Sequence, residues 1–226
     1  MRKQLLILSA FFVSVTVFGQ KDELKAAQNA INGKSYAAAM TSLNQAESLI
    51  AGADQKLTAQ FYYLKALALY QDGSKQADIE KTSAAFNQLI AYEKGTKVKY
   101  TSEIQELTNK LIASTATQAS EDYKAATISE ADADYAKAAK GFHMVYVLSP
   151  RDTLYLDNSA LIYNKAKVYE TSSKLYEKLL ELNYTGISTT YVATNKDDGQ
   201  DVTYNDEKTM NLQVKLGLAE NPRTEI

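Results

Sequence analysis

The chain has 226 residues, of which 45% are hydrophobic and 23% charged, with 25 basic and 27 acidic side chains and a net charge of −2. This is globular composition, and the slight acidic excess argues against a nucleic acid or an anionic membrane as partner. No cysteine occurs, which excludes disulfides, zinc–thiolate sites and a cysteine nucleophile, while 2 prolines and 9 glycines favour long helices over sheets.

Residues 1–19 read as a secretory signal peptide. Arg2 and Lys3 form a basic start, and Leu5–Phe18 is an apolar run too short for a comfortable membrane span. Val17 and Gly19 suit the cleavage positions and leave Gln20 as the mature start. The expected address is export, to the periplasm or beyond, with no stable transmembrane span after cleavage.

The rest of the chain reads as helical hairpins. The first spans Asp22–Ile50, with Asn32-Gly33 as a C-cap and Ala39, Leu43 and Ala46 on its second helix. Positions four and then three apart share one helix face. The second hairpin spans Lys56–Lys94. Phe61, Tyr63, Leu64, Leu67 and Tyr70 mark its first helix, and Thr82, Phe86 and Leu89 repeat the spacing on its second. Tyr100–Thr127 predicts either one overlong helix or a break near Ser114–Thr117, where Ser, Thr and Ala accumulate. A third copy of the spacing, Ala138, Phe142 and Val145, lies on a helix that Ser149-Pro150 stops. The next helix carries Leu156, Ala160 and Tyr163, with Asp152 or Thr153 as N-cap. Ser172, Tyr176 and Leu179 then lie 34 positions after their counterparts in the third copy.

That period is the tetratricopeptide length. Ala138, Phe142, Val145 and Pro150 resemble the second helix and boundary of a tetratricopeptide (TPR) repeat, and Leu156, Ala160, Tyr163 and Tyr176 continue the match. Ser159, Ser172, Leu179 and Tyr184 depart from the pattern. The arrangement is similar to exported TPR proteins of Bacteroidota-type bacteria, through the Phe18-Gly19-Gln20 signal end, Ser149-Pro150-Arg151-Asp152 and Asn183-Tyr184-Thr185-Gly186. The resemblance implies an all-α, TPR-like superhelical solenoid of antiparallel helix pairs over residues 20–186.

After Tyr184 the periodicity changes. Thr189–Thr194 and Asp201–Tyr204 are β-branched and aromatic, with Asp198-Gly199 between them, which predicts a small β-hairpin over 187–205. Residues 206–226 are expected to form a last helix, Glu207–Leu218, and a loose tail from Asn221.

Candidates for chemistry are few. His143 is the single histidine, and without a nucleophile motif or a second soft ligand it reads as a surface or interhelical side chain. Asn195, Asp197, Asp198 and Asp201 have alternating oxygens, but counting from Asn195 the sixth and twelfth positions are Gln200 and Asp206, not the Gly and Glu of a calcium loop. Turn chemistry is the expectation there. The carboxylate pairs Glu121 with Asp122 and Asp132 with Asp134 read as solvated faces. No catalytic, metal or cofactor-binding residue is expected.

First helices of a TPR stack line a groove. By the family pattern, the resemblance puts Asp157, Asn158, Leu161, Asn164 and Lys165 on it, with Tyr63 and Tyr123 as aromatic additions. Asn158 with Lys165 resembles part of a carboxylate clamp for a peptide terminus. The expected function is a non-enzymatic scaffold for a protein or peptide partner in the bacterial cell envelope. The alternative is an exported carbohydrate-binding or carbohydrate-processing protein, motivated by the 16 tyrosines.

Overall fold

The computed structural model describes Gly19 and residues 21–73, 78–187, 189–204 and 206–225. The expected secretory signal therefore lies outside the described residues, apart from Gly19. The fold is mostly α-helical with a small C-terminal sheet, and the described residues divide into two compact units, one ending at Leu175 and the other starting at Tyr176.

In the first unit α1 covers 21–32. It is followed by α2 (Tyr36–Ile50), α3 (Gln55–Tyr70), a single 3-10 turn at Gln71–Gly73, and α4 (Ile79–Lys94). Then come α5 (Thr101–Ser129), α6 (Asp132–Leu148) and α7 (Thr153–Lys165). The boundary between units falls inside α8 (Tyr169–Glu181).

The four-then-three spacing is buried in all three complete copies of this unit. Ala39, Leu43 and Ala46, then Thr82, Phe86 and Leu89, then Ala138, Phe142 and Val145 are all buried. Such a stripe is what lets a helix cover its neighbour. Among the described residues of this unit, three apolar clusters are seen. Leu24 and Ala27 of α1 join Leu43 and Phe61; Phe86, Leu89, Ile104 and Leu148 form the second; Ala119, Ala138, Phe142 and Ile162 form the third. Consecutive helices thus pack in pairs, and each cluster takes side chains from at least three helices.

Polar residues at these positions keep their hydroxyls satisfied. Thr82 donates to the Leu69 carbonyl at 3.0 Å and Ser172 to the Ala160 carbonyl at 2.8 Å, each reaching the preceding helix. Ser159, buried, donates to the Ala139 carbonyl at 2.8 Å. The serines that depart from the family pattern are therefore interhelical ties, since a buried hydroxyl needs a partner.

Loop chemistry differs from expectation at two helix ends: Asp152 stands at the N-cap position of α7 without a side-chain capping bond, and the turn after α1 is shifted. Gly33 is not the left-handed residue after α1; Lys34 is, with φ 55°. The Gly33 N–H still reaches the Asn29 carbonyl, and the Ser35 N–H reaches that of Ala30, so the turn closes with the special conformation one residue later. Asp54, Asp78 and Asp206 cap their helices, accepting from the N–H groups of Leu57, Lys81 and Thr209.

Of the two readings of Tyr100–Thr127, the overlong helix holds. Helix α5 runs 29 residues without a break, about 44 Å at 1.5 Å per residue. Its start is built by Glu93, a fully buried carboxylate at the end of α4. Glu93 accepts from the N–H groups of Tyr100 (3.0 Å) and Thr101 (2.9 Å) and from the Thr101 hydroxyl at 2.7 Å. Burial acts to raise its pKa, but the hydrogen bonds from Thr101 and from the backbone outweigh it and hold the carboxyl below its ordinary value. Helices α5 and α6 approach so closely that a Cβ on Gly141 would lie 2.8 Å from the Ala119 Cβ and 3.2 Å from its Cα.

In the second unit β1 (Thr190–Asn195) pairs antiparallel with β2 (Asp201–Tyr204), as the hairpin signal predicts. Gly199 takes φ 70° at the turn, where its missing Cβ removes the steric cost. Helix α9 (Glu207–Lys215) follows. The tail corrects the expectation of a loose end. Ala219–Glu225 is β3, paired antiparallel with the other side of β1, so the hairpin is part of a three-stranded sheet in the order β2-β1-β3. A bulge between the pairs Val192/Arg223 and Thr194/Glu220 absorbs one extra residue at Asn221-Pro222. Proline is tolerated there because β3 is an edge strand. Met210 and Val214 of α9 cover Tyr191, Ala193, Tyr204 and Ala219.

Candidate binding surface

The first helices of successive hairpins run in the same direction. A recess of about 380 Å³ is lined by Lys21 and Lys25 near the start of α1 and by Lys56 and Gln60 near the start of α3. A second, of about 270 Å³, is lined by Ile31 and Asn32 at the end of α1 and by Leu67 and Tyr70 at the end of α3. Start faces start and end faces end, so α1 and α3 are parallel neighbours. Helix α5 joins in the same sense: the Tyr63 hydroxyl donates to Glu103 at 2.8 Å, and Leu67 shares the second recess with Leu107. Second helices agree, since the Ser83 hydroxyl at the start of α4 reaches the Val147 carbonyl on α6 at 3.2 Å, and the Glu80 charge acts on His143.

The first recess is basic. Lys21, Lys25 and Lys56 ring it against the single carboxylate of Asp54, which is held by the Leu57 N–H as a cap. Gln28, Asn29 and Gln60 add amides, and the floor is Leu24 and Leu57. Apolar floor, amide walls and cationic rim can hold an extended segment ending in a carboxylate. No motif in the sequence singles these residues out. The available signal was Lys21, Lys25 and Gln28 at helical spacing on the face that also bears Leu24.

The residues expected to line a groove divide into separate places. Tyr63 stacks on Tyr100 with ring centroids 4.1 Å apart and planes at 11°, and the Lys99 ammonium lies 4.4 Å from the Tyr100 ring centre. Burial, then the Glu103 bond, raise the Tyr63 pKa. Tyr123 lies twenty residues beyond Glu103 on α5, about 30 Å along the helix. The two tyrosines therefore do not share a site. Tyr123 and Lys165 do come together, through a residue not expected there: Tyr135 on α6. The Lys165 ammonium lies 4.3 Å from the Tyr135 ring centre and 5.9 Å from that of Tyr123. A hydrogen bond with Tyr135 raises the Lys165 pKa. Asp157 and Asn158 are half-buried on α7, while Leu161, Asn164 and Lys165 are exposed.

His143 is half-buried and stacks on Tyr146; burial lowers its pKa against the opposing charge of Glu80. In the β1–β2 turn the Asn195 side chain accepts from the Asp197 N–H and Asp198 from the Gln200 N–H, while Asp201 takes the Thr194 hydroxyl and the Arg223 guanidinium. These oxygens hold the turn and the sheet, as the turn reading expects. Among the described residues no group of three or more His, Asp or Glu is placed to hold a metal ion, and no helix is long and apolar enough to cross a membrane.

In comparisons with protein-family models, with curated proteins and with solved structures, nothing matches the chain.

Proposed function

We propose that the chain is a non-enzymatic, TPR-like superhelical scaffold of the cell envelope that holds a peptide segment of a partner protein along its first helices. The supporting observation is the parallel run of α1, α3 and α5 with open, polar-rimmed recesses between them. Helix pairs that bury their second-helix stripes leave the first-helix faces as the repeating surface. The recess ringed by Lys21, Lys25 and Lys56 would take the acidic part of that segment, by charge-assisted bonds over a leucine floor. The export address rests on the residues of Met1–Gly19.

Selection from a peptide library displayed on phage tests this reading. Enriched peptides should carry Asp or Glu. Their affinity for Lys25→Glu/Lys56→Glu should fall by about tenfold or more, and rising salt should weaken wild-type binding. Failure to enrich any peptide, or enriched peptides indifferent to the charge reversal, would overturn it.

A further inference from the structure

A third opening, bordered by Gly73, lies at the place where the repeat is irregular. Helix α5 has 29 residues, whereas α4 has 16 and α6 has 17. The start of α4 at Ile79 meets α5 near Leu111 and Ser114, and α5 then continues past it beside α6. The length of α5 that α4 does not cover leaves a trough of about 540 Å³. Its walls are one face of α5, from Leu111 through Thr115 and Gln118 to Asp122, and one face of α6, from Met144 through Gly141 and Lys140 to Lys137. Leu111 to Asp122 spans about 16 Å, so the trough is elongated along the helices. Its volume lies in the range of small-molecule sites.

Its two ends differ in chemistry. Ile79, Leu111 and Met144 make one end apolar, while Gln118, Asp122, Lys137 and Lys140 make the other polar. Asp122 is largely buried, its side chain 13% exposed, and it accepts from Lys137 at 2.9 Å and from Gln118 at 3.0 Å. Its charge is thereby matched by Lys137. Lys140 lies one helical turn further along the same wall, and Asp122 is the one carboxylate among the lining residues described. The polar end therefore carries one positive charge in excess.

We infer that the trough between α5 and α6 binds a straight-chain acyl carboxylate, with the chain over Leu111, Ile79 and Met144 and the head group on Lys140. A linear apolar chain matches the length and floor of the trough, and a single negative charge matches the one uncompensated cation. Ala119 and Gly141, small where the two helices touch, form the bottom of the trough. This site is independent of the peptide surface, and either can fail alone.

The test is calorimetric titration of the full chain with decanoate. Wild type should bind one decanoate per chain saturably. Lys140→Gln, a change at an exposed side chain, should weaken binding by about tenfold, the loss of one charge-assisted bond. Thr115→Trp should abolish binding by filling the trough, with unchanged far-ultraviolet circular dichroism as the check on folding. Decylammonium, with the same chain and the opposite charge, should bind more weakly than decanoate to wild type. Absence of saturable decanoate binding, equal affinity in wild type and Lys140→Gln, or decylammonium binding as well as decanoate would each overturn the inference.

Discussion

The two units bury apolar surface in different ways. The helical unit builds clusters from large side chains: Phe61, Leu64, Phe86, Leu89 and Ile104 are all 2% exposed or less. In the C-terminal unit the cluster under α9 has, among the described residues, Ala193, Met210 and Ala219 buried, while Leu212, Leu216 and Leu218 of the same region stay exposed. One small helix on three short strands has little interior to fill, because the fraction of surface a chain can bury shrinks as the unit gets smaller. What it lacks in burial it replaces with ladder pairing and side-chain bonds, such as Arg223 across to Asp201. Repeated hairpins thus gain stability by stacking, whereas the sheet gains order through register.

The largest expected effect tests that contrast directly. Phe86→Ala should cost about 3–5 kcal/mol, read by urea unfolding of the helical signal. Met210→Ala removes a smaller side chain from a shallower cluster and should cost about 2 kcal/mol, read as lost amide protection in 190–225. Equal losses in the two experiments would break the comparison.

Next comes Glu93. Replacing it with Ala strands the Tyr100 and Thr101 N–H groups and the Thr101 hydroxyl, a loss of about 2–3 kcal/mol. Its folded pKa is depressed. Its contribution is therefore present above the ordinary carboxylate pKa and disappears as pH falls through the lower, folded value. Acid unfolding of wild type should show this slope, and Glu93→Gln should flatten it.

A smaller effect is expected at Gly141. Alanine gains about 1 kcal/mol of helix propensity, but its Cβ would meet Ala119 at 2.8 Å, with the Ala119 Cα at 3.2 Å. Overpacking costs about 1–3 kcal/mol, so Gly141→Ala should lower the midpoint of thermal unfolding. A raised midpoint would mean that α5 and α6 can separate cheaply. The smallest effect belongs to the sheet's exposed ion pair. Asp201→Asn should loosen the pairing of β3 slightly, seen as faster amide exchange at 219–225. Salt should mimic the change, because both partners lie at the surface.

The helical spacing was legible because a buried stripe must recur with the helix period. Ala138, Phe142 and Val145 announce their burial without any coordinates. Proline at 150 and the Asp198-Gly199 turn were equally plain, since both act through the local backbone. The third strand was not legible. Ala219–Glu225 contains Asn, Pro, Arg and two Glu, with none of the β-branched alternation that marks a strand. It is a strand because β1 offers it a free edge, and an exposed edge strand needs no apolar face.

The candidate sites divide along the same line. Side chains on one helix, such as Lys21, Lys25 and Gln28, can be placed on a shared face from sequence alone. Tyr123, Tyr135 and Lys165 sit on three helices, and only packing brings them together. Tyr63, on α3, meets the start of α5 through Glu103, whereas Tyr123 lies about 30 Å further along that helix, a separation set by the length of α5.

By itself the sequence determined that the segments between residues 21 and 165 are helical and which stripes of α2, α4 and α6 are buried, because those depend on residues a few positions apart. It did not foresee that Tyr176 on α8 stays exposed. Tertiary structure alone decided that α5 is continuous, that the tail becomes a strand and that a trough opens beside α4. Each of these depends on how far one element outruns its neighbour in space, and no local pattern encodes that distance.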